Sequence, residues 1–382
     1  MRRPSFDCIA LLLQGGGAMG AYQGGVYQAL AEAGLQPDWV AGISIGAINS
    51  AIIAGNAPER RVDQLRAFWD LVSAPPPGGA LASAWLGAFL ANAGNMVHGI
   101  ADQISAGQVM LGGVPGFFTP RFPPPWLSPP GSEGATSFYD TKALQATLEG
   151  LIDFDRINAR EMRLSVGAVN VRTGNFAYFD NAAQPIRAEH VMASGALPPG
   201  FPAVEIDGEH YWDGGLVSNT PLQWVVDSEP RQDMLAFQVD LWSARGNFPA
   251  DLAAVAIRMK EIQFSSRTRA GGDQLKEMQK IRGELAELLR HLPPDLKASP
   301  EIEHLTRFSD PKVYNVVQLI YRSKEYEGNS KDYEFSRASM EDHWRAGYED
   351  SRKALSHKKI FVRPDKVDGY FSFDFATGSA PE

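Results

Sequence analysis

Ser44 stands between two glycines, Gly42-Ile43-Ser44-Ile45-Gly46, directly behind an apolar run. A serine hydroxyl on a sharp strand-to-helix turn can attack a carbonyl carbon, provided something accepts its proton and something holds the oxyanion that results. Both helpers have candidates. Gly15-Gly16-Gly17-Ala18-Met19-Gly20 follows the preceding apolar run, where a glycine turn can bare the N–H groups of Gly16, Gly17 and Met19. Asp213-Gly214-Gly215 follows a strand-like segment, and its second glycine permits a close backbone approach at a strand end. Ser44 also has a plainer reading, as the N-cap of the helix behind it.

Three uses compete for the glycine turn. Gly15 and Gly20 have the spacing of a phosphate-binding P-loop, but Ala21-Tyr22 stand where Lys-Ser/Thr belongs. The turn also matches Gly-x-Gly-x-x-Gly, with Asp38 at about the distance of a ribose-binding acid. That dinucleotide reading requires the acid to close the second strand, whereas Asp38 opens it. An oxyanion hole accounts for the turn and for Ser44 together. For the base, the seven histidines offer little, since none sits in a glycine-flanked turn. A Ser-Asp-His triad on an α/β-hydrolase sheet would also place more strands before the elbow. Asp213 is the more distinctive partner.

The elements that must position these groups follow a strand–helix rhythm. Cys8 to Leu13 and Trp39 to Ile43 are continuous apolar runs, as strands buried on both faces would be. Tyr22, Val26, Ala29 and Leu30 recur at helical spacing until Gly34, and a small-residue helix runs from Ala47 to Ala54. Strands are predicted at Arg163–Val171, Phe176–Asp180, Met234–Trp242 and Lys312–Tyr321. Asp207-Gly208 marks a hairpin between Ala203–Ile206 and Glu209–Trp212. Thr220 and Pro221 are placed to cap and open a helix after Asp213. The stretch 251–291 reads as a long helical region of mixed charge, and Tyr333–His357 as a charged helix. Alternating strands and helices predict a parallel sheet covered on both faces.

Residues 73–137 break the rhythm. Between Asp70 and Glu133 the only Asp, Glu, Lys or Arg residues are Asp102 and Arg121, and Pro, Gly and aromatics dominate. An apolar helical patch covers Leu81 to Ile100. Either a lipid-facing lid or an insertion packed on the core fits this composition. The net charge of −9 speaks against nucleic acid as the main partner, because phosphate binding needs concentrated Lys and Arg. Cys8, the single cysteine, rules out an internal disulfide and a cysteine-based zinc site, and reads as a small buried hydrophobe. No metal or cofactor is expected. The run after Arg2-Arg3 is too short for a signal peptide and has no cleavage site, and no apolar run reaches about 18 residues. The expectation is a cytoplasmic protein able to touch a membrane surface transiently, its oligomeric state open.

The motifs in this order, with Ala193-Ser194-Gly195-Ala196-Leu197-Pro198-Pro199-Gly200-Phe201-Pro202 before the acid, resemble the patatin-like phospholipase family. The resemblance covers about residues 6 to 240. It implies a three-layer α/β/α fold with a mainly parallel central sheet and a lipid acyl hydrolase domain at 1–245. A mixed α/β C-terminal extension at 246–364 and a loose tail at 365–382 would follow. It implies Ser44 as nucleophile and Asp213 as its partner in a dyad, with Gly15, Gly16 and Gly17 as the oxyanion loop. Gly20, Gly42, Gly46, Gly214 and Gly215 complete the motifs. The substrate would be a lipid or another apolar ester, such as a storage polyester. Two positions depart from the family pattern. Gln14 stands where an acid is frequent, and Met19 stands where a basic residue is frequent. The second leaves open a weakly active, lipid-binding protein.

Overall fold

The computed structural model describes residues 3–74, 107, 109–265, 268–297, 299–323, 330–364 and 369–375. The apolar patch expected at Leu81 to Ile100 lies outside them. The strands are β1 (Cys8–Leu13), β2 (Trp39–Ile43), β3 (Thr119–Pro120), β4 (Tyr139–Asp140), β5 (Arg163–Asn170), β6 (Phe176–Asp180), β7 (Val204–Ile206), β8 (Glu209–Asp213), β9 (Met234–Asp240), β10 (Tyr314–Ile320) and β11 (Tyr370–Asp374). Nine of them form one sheet in the order β11-β10-β9-β1-β2-β5-β8-β7, with β6 also paired to β5. From β11 to β5 every pairing on this path is parallel; β6 and β8 run antiparallel to β5. The small β3–β4 hairpin stands apart.

The sheet is covered on both faces, and β1 shows why its sequence is apolar throughout. Ile9, Leu11 and Leu13 belong to one core cluster; Cys8, Ala10 and Leu12 belong to another on the opposite face. Successive side chains of a strand point to opposite faces, so a strand with helices on both sides alternates between two cores and has no polar face. The larger core holds α1 (Ala21–Glu32), α2 (Ile45–Ala54), α3 (Arg61–Val72) and the Arg337–Leu355 helix, through Val26, Ile48, Trp69 and Trp344. The smaller core takes Leu222, Val225 and Val226 from the helix after Asp213 and Leu275 from the Thr268–Arg290 helix. The fold is a three-layer α/β/α sandwich around a mainly parallel sheet. Burial in the smaller core pushes the Cys8 thiol up to about 12, which keeps it protonated and inert.

Two boundaries differ from expectation. The C-terminal extension continues the same sheet: β10 pairs with β9, and β9 pairs with β1. The sheet therefore runs on past residue 245 into the extension. The stretch read as a tail contains β11, which pairs with β10 and buries Tyr370 in the smaller core and Phe373 in the larger, as a strand covered on both faces does. Of the 73–137 stretch, the described part packs on the core through Val114, Phe117 and Phe118.

Candidate active site

Two loops at one edge of the sheet hold the open groups. Between residues 8 and 27 every residue is buried except Gly16 and Gly17, and between 39 and 56 every residue is buried except Ser44. These three line a cavity of about 400 Å³, a size suited to a small organic group.

Ser44 follows β2 and precedes α2, with φ 56° and ψ −125°. A left-handed backbone at a non-glycine residue costs about 1–3 kcal/mol and persists only where its surroundings enforce it. Here they do. A side chain at Gly42 would collide with the Gly46 carbonyl, and one at Gly46 with the Leu13 carbonyl, so strand and helix cross with no room for a Cβ. The Ser44 N–H donates to Ser194 Oγ at 2.9 Å, and Ser194 donates in turn to the Gly167 carbonyl at 2.6 Å. Ser194 thereby ties the elbow to β5. Its side chain carries no short-range signal; it lies inside the 193–202 segment, much of which lines the cavity.

Asp213 arrives by register. Ile43 of β2 pairs with Gly167 of β5, and Asp213 of β8 pairs with Ala168, the next residue along. β2 runs parallel to β5 and β8 antiparallel to it. Their C-terminal ends meet head to head on one flank of β5, which puts Asp213 against Ser44. The Asp213 carboxylate lies beside the Ser44 hydroxyl in the cavity floor. It accepts from the Gly215 N–H at 2.7 Å. Burial, at 2% exposure, pushes Asp213 from the usual carboxylate range up to about 6, and the neighbouring Ser44 hydroxyl and Gly215 N–H limit the rise. Among the described residues no histidine lines the cavity.

The glycine turn is held at every peptide but two. The Gly15 N–H donates to Asn219 Oδ1 at 3.1 Å, and its carbonyl accepts from Asn219 Nδ2 and Trp242 Nε1, each at 3.0 Å. The Met19 N–H donates to the Gly16 carbonyl at 3.3 Å, closing a 3₁₀ turn. The Ala18 N–H donates to the Asp332 carbonyl at 2.8 Å. Among the described residues the Gly16 and Gly17 amides have no partner. Expectation had put Gly15 and Met19 in the oxyanion loop as well, but their N–H groups are committed elsewhere. Met19 is wholly buried in the larger core, its side chain packed towards Gly16.

Gln14, the other departure, is a buried bracket. Its Oε1 accepts from the Leu241 and Trp242 amides, and its Nε2 donates to the Phe264 carbonyl and to Thr220 Oγ1. A carboxylate could not make the two donations. Thr220 is thus spent on Gln14 rather than capping the next helix, which begins at Leu222 with Pro221 at its N-cap. Asp38, the candidate ribose acid, lies at the opposite ends of the strands. It accepts from the Ile9 amide and pairs with Arg3, so it meets no ligand near the glycine turn.

The rest of the cavity wall is mostly apolar. Phe117, Phe118, Tyr139 and Phe201 form a ring cluster with Phe335, with neighbouring centroids 4.8–6.4 Å apart. Sequence reasoning missed Asn219, Trp242, Phe264 and the 332–335 segment, which lie beyond the recognised motifs or between them.

A strained serine, a buried acid beside it and a glycine turn at the edge of a parallel sheet agree with the family comparison. A family model described as patatin-like phospholipase matches residues 11–225, more than half of the chain, and a second, described as patatin phospholipase, matches residues 262–367. The chain belongs to the patatin-like phospholipases, a family of lipid acyl hydrolases. It is similar to patatin-like phospholipase domain-containing protein 7 of Rattus norvegicus, 47% identical over 60 residues. That match covers 16% of this chain and 4% of the rat protein. Among solved structures, VipD from Legionella pneumophila aligns over 98% of this chain and 72% of its own at 15% identity, with a TM-score of 0.39. Among the described residues no helix is long and apolar enough to cross a membrane.

Proposed function

We propose that the chain is a serine hydrolase of fatty acyl esters working through a Ser44–Asp213 dyad. The observation that carries this is the register that brings the strained Ser44 and a buried Asp213 together in the floor of an apolar cavity that no histidine lines among the described residues. Asp213 takes the Ser44 proton as Oγ attacks the ester carbonyl. The Gly16 and Gly17 amides hold the oxyanion, and the positive end of α2 favours the same charge. Asp213 returns the proton to the departing alkoxide, leaving an acyl-serine. Water then attacks, losing its proton to Asp213, and the fatty acid leaves as Ser44 is restored. An ordinary aspartate is a weak base; one titrating near 6 is ionised at neutral pH and a better proton acceptor. The aromatic wall suits an alkyl chain.

The substrate side faces a greasy rim. Met110, which lines the cavity, is exposed, as are Phe122 (95%), Trp126 (74%) and Leu127 on the loop between β3 and β4. Arg121, beside them, is paired with Glu133 and Asp140. We read this loop as the contact with a lipid surface, made by apolar insertion rather than by charge.

The test is hydrolysis of acyl esters of graded chain length, wild type beside Ser44→Ala and Asp213→Asn, with a fluorophosphonate probe of Ser44. Loss of hydrolysis in both variants and labelling of the folded wild type support the reading. Full activity in Asp213→Asn would falsify the dyad.

A further inference from the structure

The 330–335 segment reaches into the site from the C-terminal extension. Its Asp332 carbonyl accepts the Ala18 N–H, and it sits so close to Gly17 (φ +56°) that a side chain there would collide with it. Asp332, Tyr333 and Phe335 line the cavity. The segment is itself anchored to the Leu252–Phe264 helix. Lys260 Nζ lies 3.0 Å from both carboxylate oxygens of Asp332 and 5.2 Å from the Tyr333 ring centroid. The adjacent Lys331, 3% exposed in its side chain, donates to Glu261 Oε1 and Ser323 Oγ and lies 5.1 Å from the ring of Trp242. Trp242 is the residue whose indole holds the Gly15 carbonyl. The end of the same helix offers the Phe264 carbonyl to Asn219 and Gln14.

We propose that the C-terminal extension is part of the catalytic apparatus, with Lys260 and Asp332 as positioning residues that fix the oxyanion turn. The inference rests on reading Gly16 and Gly17 as the oxyanion donors. Contacts on either side of that pair, at Gly15 and at Ala18, leave the two amides little freedom to swing away. Preorganised donors are worth most when they need no rearrangement as charge develops. A salt bridge on the extension therefore acts on the transition state, through the Asp332 backbone, without touching substrate.

The test uses the full chain with a fatty trifluoromethyl ketone, which Ser44 converts to an oxyanionic adduct, and the matched secondary alcohol, which forms none. Lys260→Met should weaken the ketone and lower kcat by roughly tenfold, with KM and alcohol affinity unchanged within about twofold. Lys260→Arg should restore both. Asp332→Asn, close to isosteric, should act in the same direction and add little in the double variant; it carries the comparison if Lys260→Met does not fold. If the variants weaken both ligands equally, or neither, the positioning role is wrong while the oxyanion reading stands. If wild type itself shows no preference for the ketone, the oxyanion reading fails and the inference with it.

Discussion

The floor and the wall of the cavity are built on opposite principles. The floor, residues 14–20, 42–46 and 213–219, is mostly backbone: small residues at the ends of parallel strands, with most polar groups committed. The wall, contributed by 109–139, 197–201 and 333–335, is mostly side-chain mass, with aromatic rings packed on one another. A floor of this kind tolerates almost no added atom, because its geometry is set by carbonyls that cannot retreat. A wall of rings can lose or gain volume and still close, at a cost that follows buried area. On the proposed mechanism, reaction chemistry belongs with the first and substrate choice with the second.

This contrast can be broken most forcefully at Ser44. Ser44→Ala should lower ester hydrolysis by roughly 10³-fold or more while leaving the circular dichroism spectrum and the melting temperature close to wild type. An unchanged rate would mean that the floor does not hold the nucleophile.

Asp213 should separate function from stability. Its raised value means that the folded state keeps a proton that the unfolded chain has released between pH 3.8 and about 6. Stability therefore falls as pH rises through that window, and the penalty is complete above it. Asp213→Asn should lower kcat/KM by roughly 10²–10⁴-fold. It should also stabilise the protein at pH 8, by on the order of 2–3 kcal/mol. Denaturant titrations at pH 8 and pH 4 would show that gain at the first and little of it at the second. In wild type, kcat/KM should rise with pH through about 6 and then level.

Gly46→Ala tests how unyielding the floor is. Its new methyl meets the Leu13 carbonyl, and overpacking of that kind costs about 1–3 kcal/mol or more in a melting experiment. The wall should respond differently. Phe335→Ala should lower stability by about 3 kcal/mol or less, shift the preferred acyl chain upward in length, and leave hydrolysis of a short ester nearly intact. The smallest effect is expected at the rim. Trp126→Ser with Phe122→Ser should leave hydrolysis of a soluble short ester unchanged and slow hydrolysis on neutral vesicles several-fold, with little dependence on salt. A strong salt dependence would point to charge instead.

Much of the floor is legible in the sequence. β1, β2 and the two glycine motifs announce themselves within a dozen residues, because apolar runs and the steric need for glycine are local properties. Even Asp213 could be singled out from its paired glycines. Gly16 and Gly17 were among the amides the sequence pointed to, but the closure of Gly15 was not legible, since it depends on Asn219, 204 residues away. The wall was readable only as composition: the aromatic, charge-poor stretch was evident, but not which rings meet Phe201 and Phe335. That the extension adds its strands to the same sheet was not legible, because β10 and β11 carry no mark of the strand they will join.

By itself the sequence determined the strands, the elbow, the glycine turn and the acid, each a short pattern enforced by sterics and burial. The tertiary structure alone decided that β2 and β8 meet end to end on β5, which joins Ser44 to Asp213. It alone decided that the C-terminal extension seats on the turn and leaves Gly16 and Gly17 open. Strand order and register choose partners across hundreds of residues, and no local pattern encodes that choice.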